Sequence, residues 1–221
     1  MKKVEFKSID GLLISADYYE VSNPKGFILL CHRSHCNRAE YRETAPKLNT
    51  LGYSCLAIDQ RSGMKVFGES NETKDRAKAK KLPTGYLDAR PDVEAGIDYA
   101  YKLNKSKPII LLGSSYSAAL GLLIAPENRK LKSLIVFSPA EHLKATALAE
   151  AIAPISIPVF ATSAKAEIKD TEEVLRFVDQ RLVTQFKPKK EGFHGSKILW
   201  ESVPGFKELW EKLKEFLNKI V

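Results

Sequence analysis

The chain has 221 residues, 44% hydrophobic and 28% charged, a balance that suits one domain with a full core and excludes a disordered chain. The net charge is +8, but the bases are interleaved with acids and no zinc-finger, RNA-recognition or helix-turn-helix pattern accompanies them, so no nucleic-acid partner is expected. No uninterrupted apolar stretch approaches the ~18 residues of a membrane span, and the N-terminal MKKVEFKSIDGLL lacks an apolar signal core, so no membrane partner is expected.

Val4 and Phe6 alternate with polar residues, Asp10-Gly11 marks a turn, and Leu12, Ile14 and Ala16 resume the alternation. This predicts a hairpin within the first 21 residues. Phe27 to Cys31 is then a continuous apolar run, as in a strand buried on both faces. Tyr41, Ala45, Leu48 and Leu51 follow at helical spacing with Gly52 as the stop, and Ser54 to Ile58 is a second buried strand. From Arg61 to Arg90 the rhythm breaks. This stretch is polar, carries Gly63, Gly68, Pro83 and Gly85, and contains the basic run Lys74 to Lys81. It reads as a long solvated loop, a candidate lid over a pocket.

Val93, Ile97, Ala100 and Tyr101 mark a helix, Ile109 to Leu112 a strand, and Tyr116 to Ala125 an apolar helix. Leu134 to Phe137 is a strand, Leu143 to Ile152 an Ala-rich helix, Val159 to Thr162 a strand and Glu172 to Val178 a short helix. Leu182, Thr184 and Phe186 alternate as on an exposed edge strand. Phe206, Leu209, Trp210, Leu213, Phe216, Leu217 and Ile220 form one stripe of a C-terminal helix. A hairpin followed by strand–helix alternation predicts an α/β fold in a single domain over residues 1–221: a mostly parallel central sheet with an N-terminal antiparallel hairpin, helices on both faces and no large cap. Functional side chains then belong at the carboxyl ends of the strands.

Gly113-Ser114-Ser115-Tyr116-Ser117 sits between a predicted buried strand and an apolar helix, close to the G-x-S-x-G nucleophile elbow. Ser117 stands in for the second glycine, with Ala118 and Ala119 behind it. Ser115 is therefore the candidate nucleophile, although serine is also a favoured helix cap. A serine hydroxyl needs a base within hydrogen-bond reach. Of His32, His35, His142 and His194, only His194, in Gly192-Phe193-His194-Gly195, satisfies the chain order Ser, acid, His. The acid belongs after the Val159 to Thr162 strand. Glu167, Asp170 and Glu141 are candidates, and each also reads as a solvated acid or helix cap.

The three cysteines, Cys31, Cys36 and Cys55, give no disulfide framework, and Cys31 and Cys55 read as buried strand thiols. Cys31-His32 and His35-Cys36 offer atoms for zinc, but no second ligand pair occurs, so no metal is expected. No Gly-rich phosphate loop is present.

The segments Cys31 to Tyr41, Ala57 to Gly63, Gly113 to Ser117, Ser138-Pro139-Ala140-Glu141 and Gly192 to Gly195 occur in order, and together they resemble the α/β-hydrolase superfamily in its dienelactone-hydrolase-like branch. The resemblance implies an oxyanion hole made by the backbone N–H of Tyr116 and of Ser34 or Arg33. It also places the acid at Ala166, where this chain has no carboxylate. Glu167 or Asp170 could then serve through a shifted turn, Glu141 could reach in from the preceding strand, or the acid is missing. Arg33 stands where a glycine often follows the histidine in related enzymes, which would narrow the site or attract an anionic substrate. The expectation is a cytoplasmic serine hydrolase, monomeric or homodimeric, that needs no cofactor and acts on a small-molecule ester, thioester or lactone through an acyl-enzyme. A leader removed ahead of Met1 is left open. The alternative is an impaired or non-enzymatic small-molecule binder of the same fold, motivated by Ala166.

Overall fold

The protein is described by a computed structural model over residues 1–140 and 148–220. Eight strands form one sheet: β1 (Lys2–Lys7), β2 (Leu13–Tyr19), β3 (Gly26–Cys31), β4 (Tyr53–Ile58), β5 (Ile109–Ser114), β6 (Leu131–Phe137), β7 (Val159–Thr162) and β8 (Val183–Gln185). Their order is β1-β2-β4-β3-β5-β6-β7-β8. β1 and β2 are the predicted antiparallel hairpin, β2 joins β4 antiparallel, and every other pairing is parallel. The chain order reverses at β3, which lies between β4 and β5. A crevice at the carboxyl ends of the strands is expected at such a switch point.

The register brings those ends level. Cys31 pairs with Ile58 on one side and Gly113 on the other, Ser114 with Phe137, and Phe137 with Thr162. Side chains alternate between two apolar layers. Leu29, Leu111 and Val136 join the layer of α3 (Arg90–Leu103) and α4 (Tyr116–Ile124). Leu30, Leu112 and Ile135 join that of α1 (Thr44–Thr50) and α7 (Phe206–Lys219). Both faces being covered explains the unbroken apolar runs of the central strands.

Several boundaries differ from the sequence reading. A 3-10 turn, Arg38–Tyr41, precedes α1, and α6 covers Ile168–Leu175 rather than starting at Glu172. α5 is described over Leu148–Ile152, and the first five residues of its predicted span lie outside the described residues.

The larger correction concerns residues 61–90, which contain helix α2 (Glu72–Ala79) and a 3-10 turn, Leu87–Ala89. α2 buries only Thr73 and Ala77, so it has no apolar stripe to read. Polar bonds hold it instead. The Asn71 side chain caps Lys74 N–H, Ser15 N–H donates to Thr73 Oγ1, and Arg76 pairs with Glu5 and Glu72. Three buried ion pairs fix its surroundings: Arg38 with Asp17, Arg38 with Asp59, and Arg61 with Asp92. Two of the segment's rings reach the carboxyl end of the sheet, Phe67 against Trp200 at 5.4 Å and Tyr86 stacked on Tyr116 at 4.6 Å. No helix among the described residues is long and apolar enough to cross a membrane.

Candidate active site

Ser115 sits between β5 and α4 with φ 60° and ψ −123°, a conformation that costs energy for a residue with a Cβ. The turn survives because its neighbours are small and bonded. A Cβ on Gly113 would lie 2.6 Å from the Ser117 carbonyl oxygen and 2.7 Å from Ala118 Cα, so only glycine fits there. Ser115 N–H donates to the Phe137 carbonyl at 2.8 Å, tying the turn to β6. Ser117 is accommodated at the second-glycine position because its hydroxyl is bonded, donating to the His32 carbonyl and accepting from Gln60 Nε2. Tyr116 opens α4, where first-turn N–H groups lack intrahelical partners.

His194 precedes the 3-10 turn Gly195–Leu199. Its Nε2 lies 2.8 Å from Ser115 Oγ, and its Nδ1 lies 2.7 Å from Glu167 Oε1. Gly195 has φ 75°, and a Cβ there would stand 2.5 Å from Ser114 Oγ, so this loop also depends on a glycine.

The carboxylate that reaches the imidazole thus belongs to Glu167, one residue beyond the vacant Ala166. Glu167 closes the 3-10 turn Lys165–Glu167 after β7. Its Oε2 accepts from Ser138 Oγ at 2.7 Å and from Ala164 N–H at 3.2 Å. Ala166 and Asp170 are both exposed. Glu141, the third acid considered, lies outside the described residues, as does His142. Burial alone would raise the Glu167 carboxyl pKa, but hydrogen bonds from His194 and Ser138 outweigh it, and the net shift is below the ordinary value.

Two residues of this arrangement carried no role in the sequence reading. Ser138, at φ 50° just past β6, donates to Glu167 and accepts from Gly195 N–H at 2.9 Å. It was visible only as the first letter of Ser-Pro-Ala-Glu. Glu40 is 1% exposed. Its Oε1 accepts from Ser114 Oγ at 2.8 Å and Ser196 Oγ at 2.5 Å, and its Oε2 accepts from Arg33 N–H at 2.9 Å. One carboxylate therefore joins the loop after β3, the turn before Ser115 and the loop after His194.

That bond corrects the oxyanion assignment at Arg33, whose N–H is committed to Glu40. The N–H groups of Ser34 and Tyr116 make no hydrogen bond among the described residues. Of the cluster considered for zinc, His32 is fully buried. Its Nδ1 faces the Arg33 carbonyl at 2.8 Å, and its Nε2 accepts from Gln60 N–H at 3.0 Å. Burial lowers its pKa, consistent with a neutral ring. His35 is exposed, and all three cysteines are free and buried.

A comparison with curated protein sequences returned no significant match. Solved structures are similar over the whole chain. An esterase of Pyrococcus furiosus has a TM-score of 0.74 at 17% identity, over 99% of this chain and 90% of that one. A dienelactone hydrolase of Anabaena variabilis has a TM-score of 0.73 at 14% identity, over 100% of each chain. A carboxyl esterase of Bacillus coagulans in complex with glycerol has a TM-score of 0.73 at 12% identity, over 99% and 98%. At these identities the likeness establishes the fold. A family model described as serine aminopeptidase, S33, matches residues 22–217, and the chain accordingly belongs to that family of the α/β-hydrolase superfamily.

Proposed function

We propose that the protein is a serine hydrolase of small esters, thioesters or lactones, with Ser115 as nucleophile, His194 as general base and Glu167 as the orienting acid. The observation that carries this reading is the continuous line Glu167 Oε1–His194 Nδ1 and His194 Nε2–Ser115 Oγ, at 2.7 and 2.8 Å. The carboxylate favours the tautomer with hydrogen on Nδ1, which makes Nε2 the acceptor of the serine proton.

Ser115 Oγ attacks the acyl carbonyl as Nε2 takes its proton. The oxyanion forms beside the N–H groups of Tyr116 and Ser34, which are well suited to hold it. His194 then returns the proton to the departing alcohol, thiol or ring oxygen. Water repeats the cycle on the acyl-enzyme and releases the acid. No step calls for a cofactor. The rival reading, a binder without turnover, drew its support from the empty acid position at Ala166, and Glu167 beside His194 supports turnover instead.

Short p-nitrophenyl esters and a fluorophosphonate probe test the reading. A burst of acylation is expected, with the adduct mapped by mass spectrometry to Ser115 and both signals lost in Ser115→Ala. A burst that persists in Ser115→Ala, or labelling at another residue, would sink it.

A further inference from the structure

We propose that the rim beside His194 is a subsite for an anionic group, so that the preferred substrates are esters carrying a carboxylate or comparable charge. The inference rests on the hydrolase reading above and names its substrate class.

Arg33 leaves the end of β3, and its Cδ lies 3.3 Å from where a Cβ on Gly195 would stand. Its side chain therefore runs along the residue next to His194. Its Nε is buried and has no hydrogen-bond partner among the described residues. Such a shielded donor on a permanently charged group is costly unless an acceptor arrives. The guanidinium carbon is 5.9 Å from the centre of the Phe193 ring, and Lys197 Nζ is 4.3 Å from the same ring. Phe193 immediately precedes His194 and is 36% exposed. Two cations thus contact one partly exposed ring at the edge of the candidate site.

Neither cation has a carboxylate partner among the described residues, whereas Arg38, Arg61, Arg76, Arg90, Arg176 and Arg181 each have one. Glu40, the nearest acid by bonding, meets only the Arg33 backbone and spends its other oxygen on Ser114 and Ser196. Ring contacts compensate a cation less fully than a charge-assisted hydrogen bond does. A substrate anion held at the edge of the Phe193 ring, within reach of the two head groups, would pair with both cations. The same two charges oppose the free ammonium that an aminopeptidase must accept, which sets this site against peptide amino termini.

The test compares kcat/KM within matched pairs: p-nitrophenyl monoadipate against p-nitrophenyl hexanoate, and 4-acetoxybenzoate against 4-acetoxybenzamide. The first pair places the anion on the acyl half and the second on the alcohol half. At about 0.02 M ionic strength at least one pair should favour the anion about tenfold, and the preference should shrink several-fold at about 0.5 M salt. In Arg33→Gln and in Lys197→Gln the anion-to-neutral ratio should fall severalfold. A general loss of activity cancels in that ratio. Neutral esters hydrolysed as fast as anionic ones in both pairs would overturn the subsite and leave the hydrolase reading intact. Absence of turnover and of Ser115 labelling would overturn both.

Discussion

The turn that carries Ser115 and the turn that carries Glu167 both follow a parallel strand at its carboxyl end, yet they are specified in different ways. Residues 113–117 are specified by steric limits. Ser115 occupies a strained backbone conformation, Gly113 leaves no room for a Cβ, and a buried strand and an apolar helix flank the turn. Residues 163–168 are specified by hydrogen bonds. Glu167 is held by His194, Ser138 and the Ala164 N–H, and a longer side chain one residue along can reach the same partners. Steric limits leave a pattern of residue types at fixed spacing. Hydrogen bonds tolerate a shift of one residue, and in this chain the carboxylate beside His194 stands one residue past Ala166.

This contrast can be broken or sharpened by substitution. The largest effect belongs to Ser115→Ala, which should lower kcat on a short ester by on the order of 10⁵-fold or more. Glu167→Gln should lower kcat by about 10³- to 10⁴-fold with KM little changed, since the imidazole loses its orienting charge. Within that variant class lies the sharpest comparison. Ala166→Asp should leave fluorophosphonate labelling within about twofold of wild type, but should restore part of the rate in Glu167→Ala. No recovery in the double variant would mean that the turn does not tolerate the shift. Gly113→Ala, by contrast, has no room to adjust. It should cost about 2–4 kcal/mol of stability, read from urea midpoints.

Ser138→Ala comes next, at about tenfold in kcat, because it removes one of three donors to Glu167 and leaves Gly195 N–H without its acceptor. The smallest effect concerns pH. The folded Glu167 pKa lies below its ordinary value, so the stabilisation is present above the unfolded carboxyl pKa and is lost as pH falls through the folded one. The stability gap between wild type and Glu167→Gln should therefore narrow as pH falls from neutrality through the carboxylate range. A gap independent of pH would count against an ionised Glu167.

The same distinction explains what the sequence could convey. The strands and the apolar helices α3, α4 and α7 were legible because burial imposes periodicity on them. The small neighbours of Ser115 and the chain order of His194 pointed to two side chains that lie 2.8 Å apart. Helix α2 was not, because its attachment runs through Asn71, Thr73 and Arg76, and polar contacts have no period. Glu40 and Ser138 stood in plain view as letters, but their partners are far away in the chain and only folding brings them together. The Arg33 side chain was noticed as an oddity. Its amide was one of two offered for an oxyanion hole, and nothing local reveals that Glu40 accepts from it.

Glu40 has a consequence for how this end of the molecule opens. Its carboxylate accepts the Arg33 amide directly, and the Ser196 amide donates to Ser114 Oγ, which itself donates to Glu40. Those two amides should exchange with deuterium as one cooperative unit, since neither can be released without disturbing the other. The tripartite junction would thereby make breathing of the β3 loop and of the histidine loop a single concerted event.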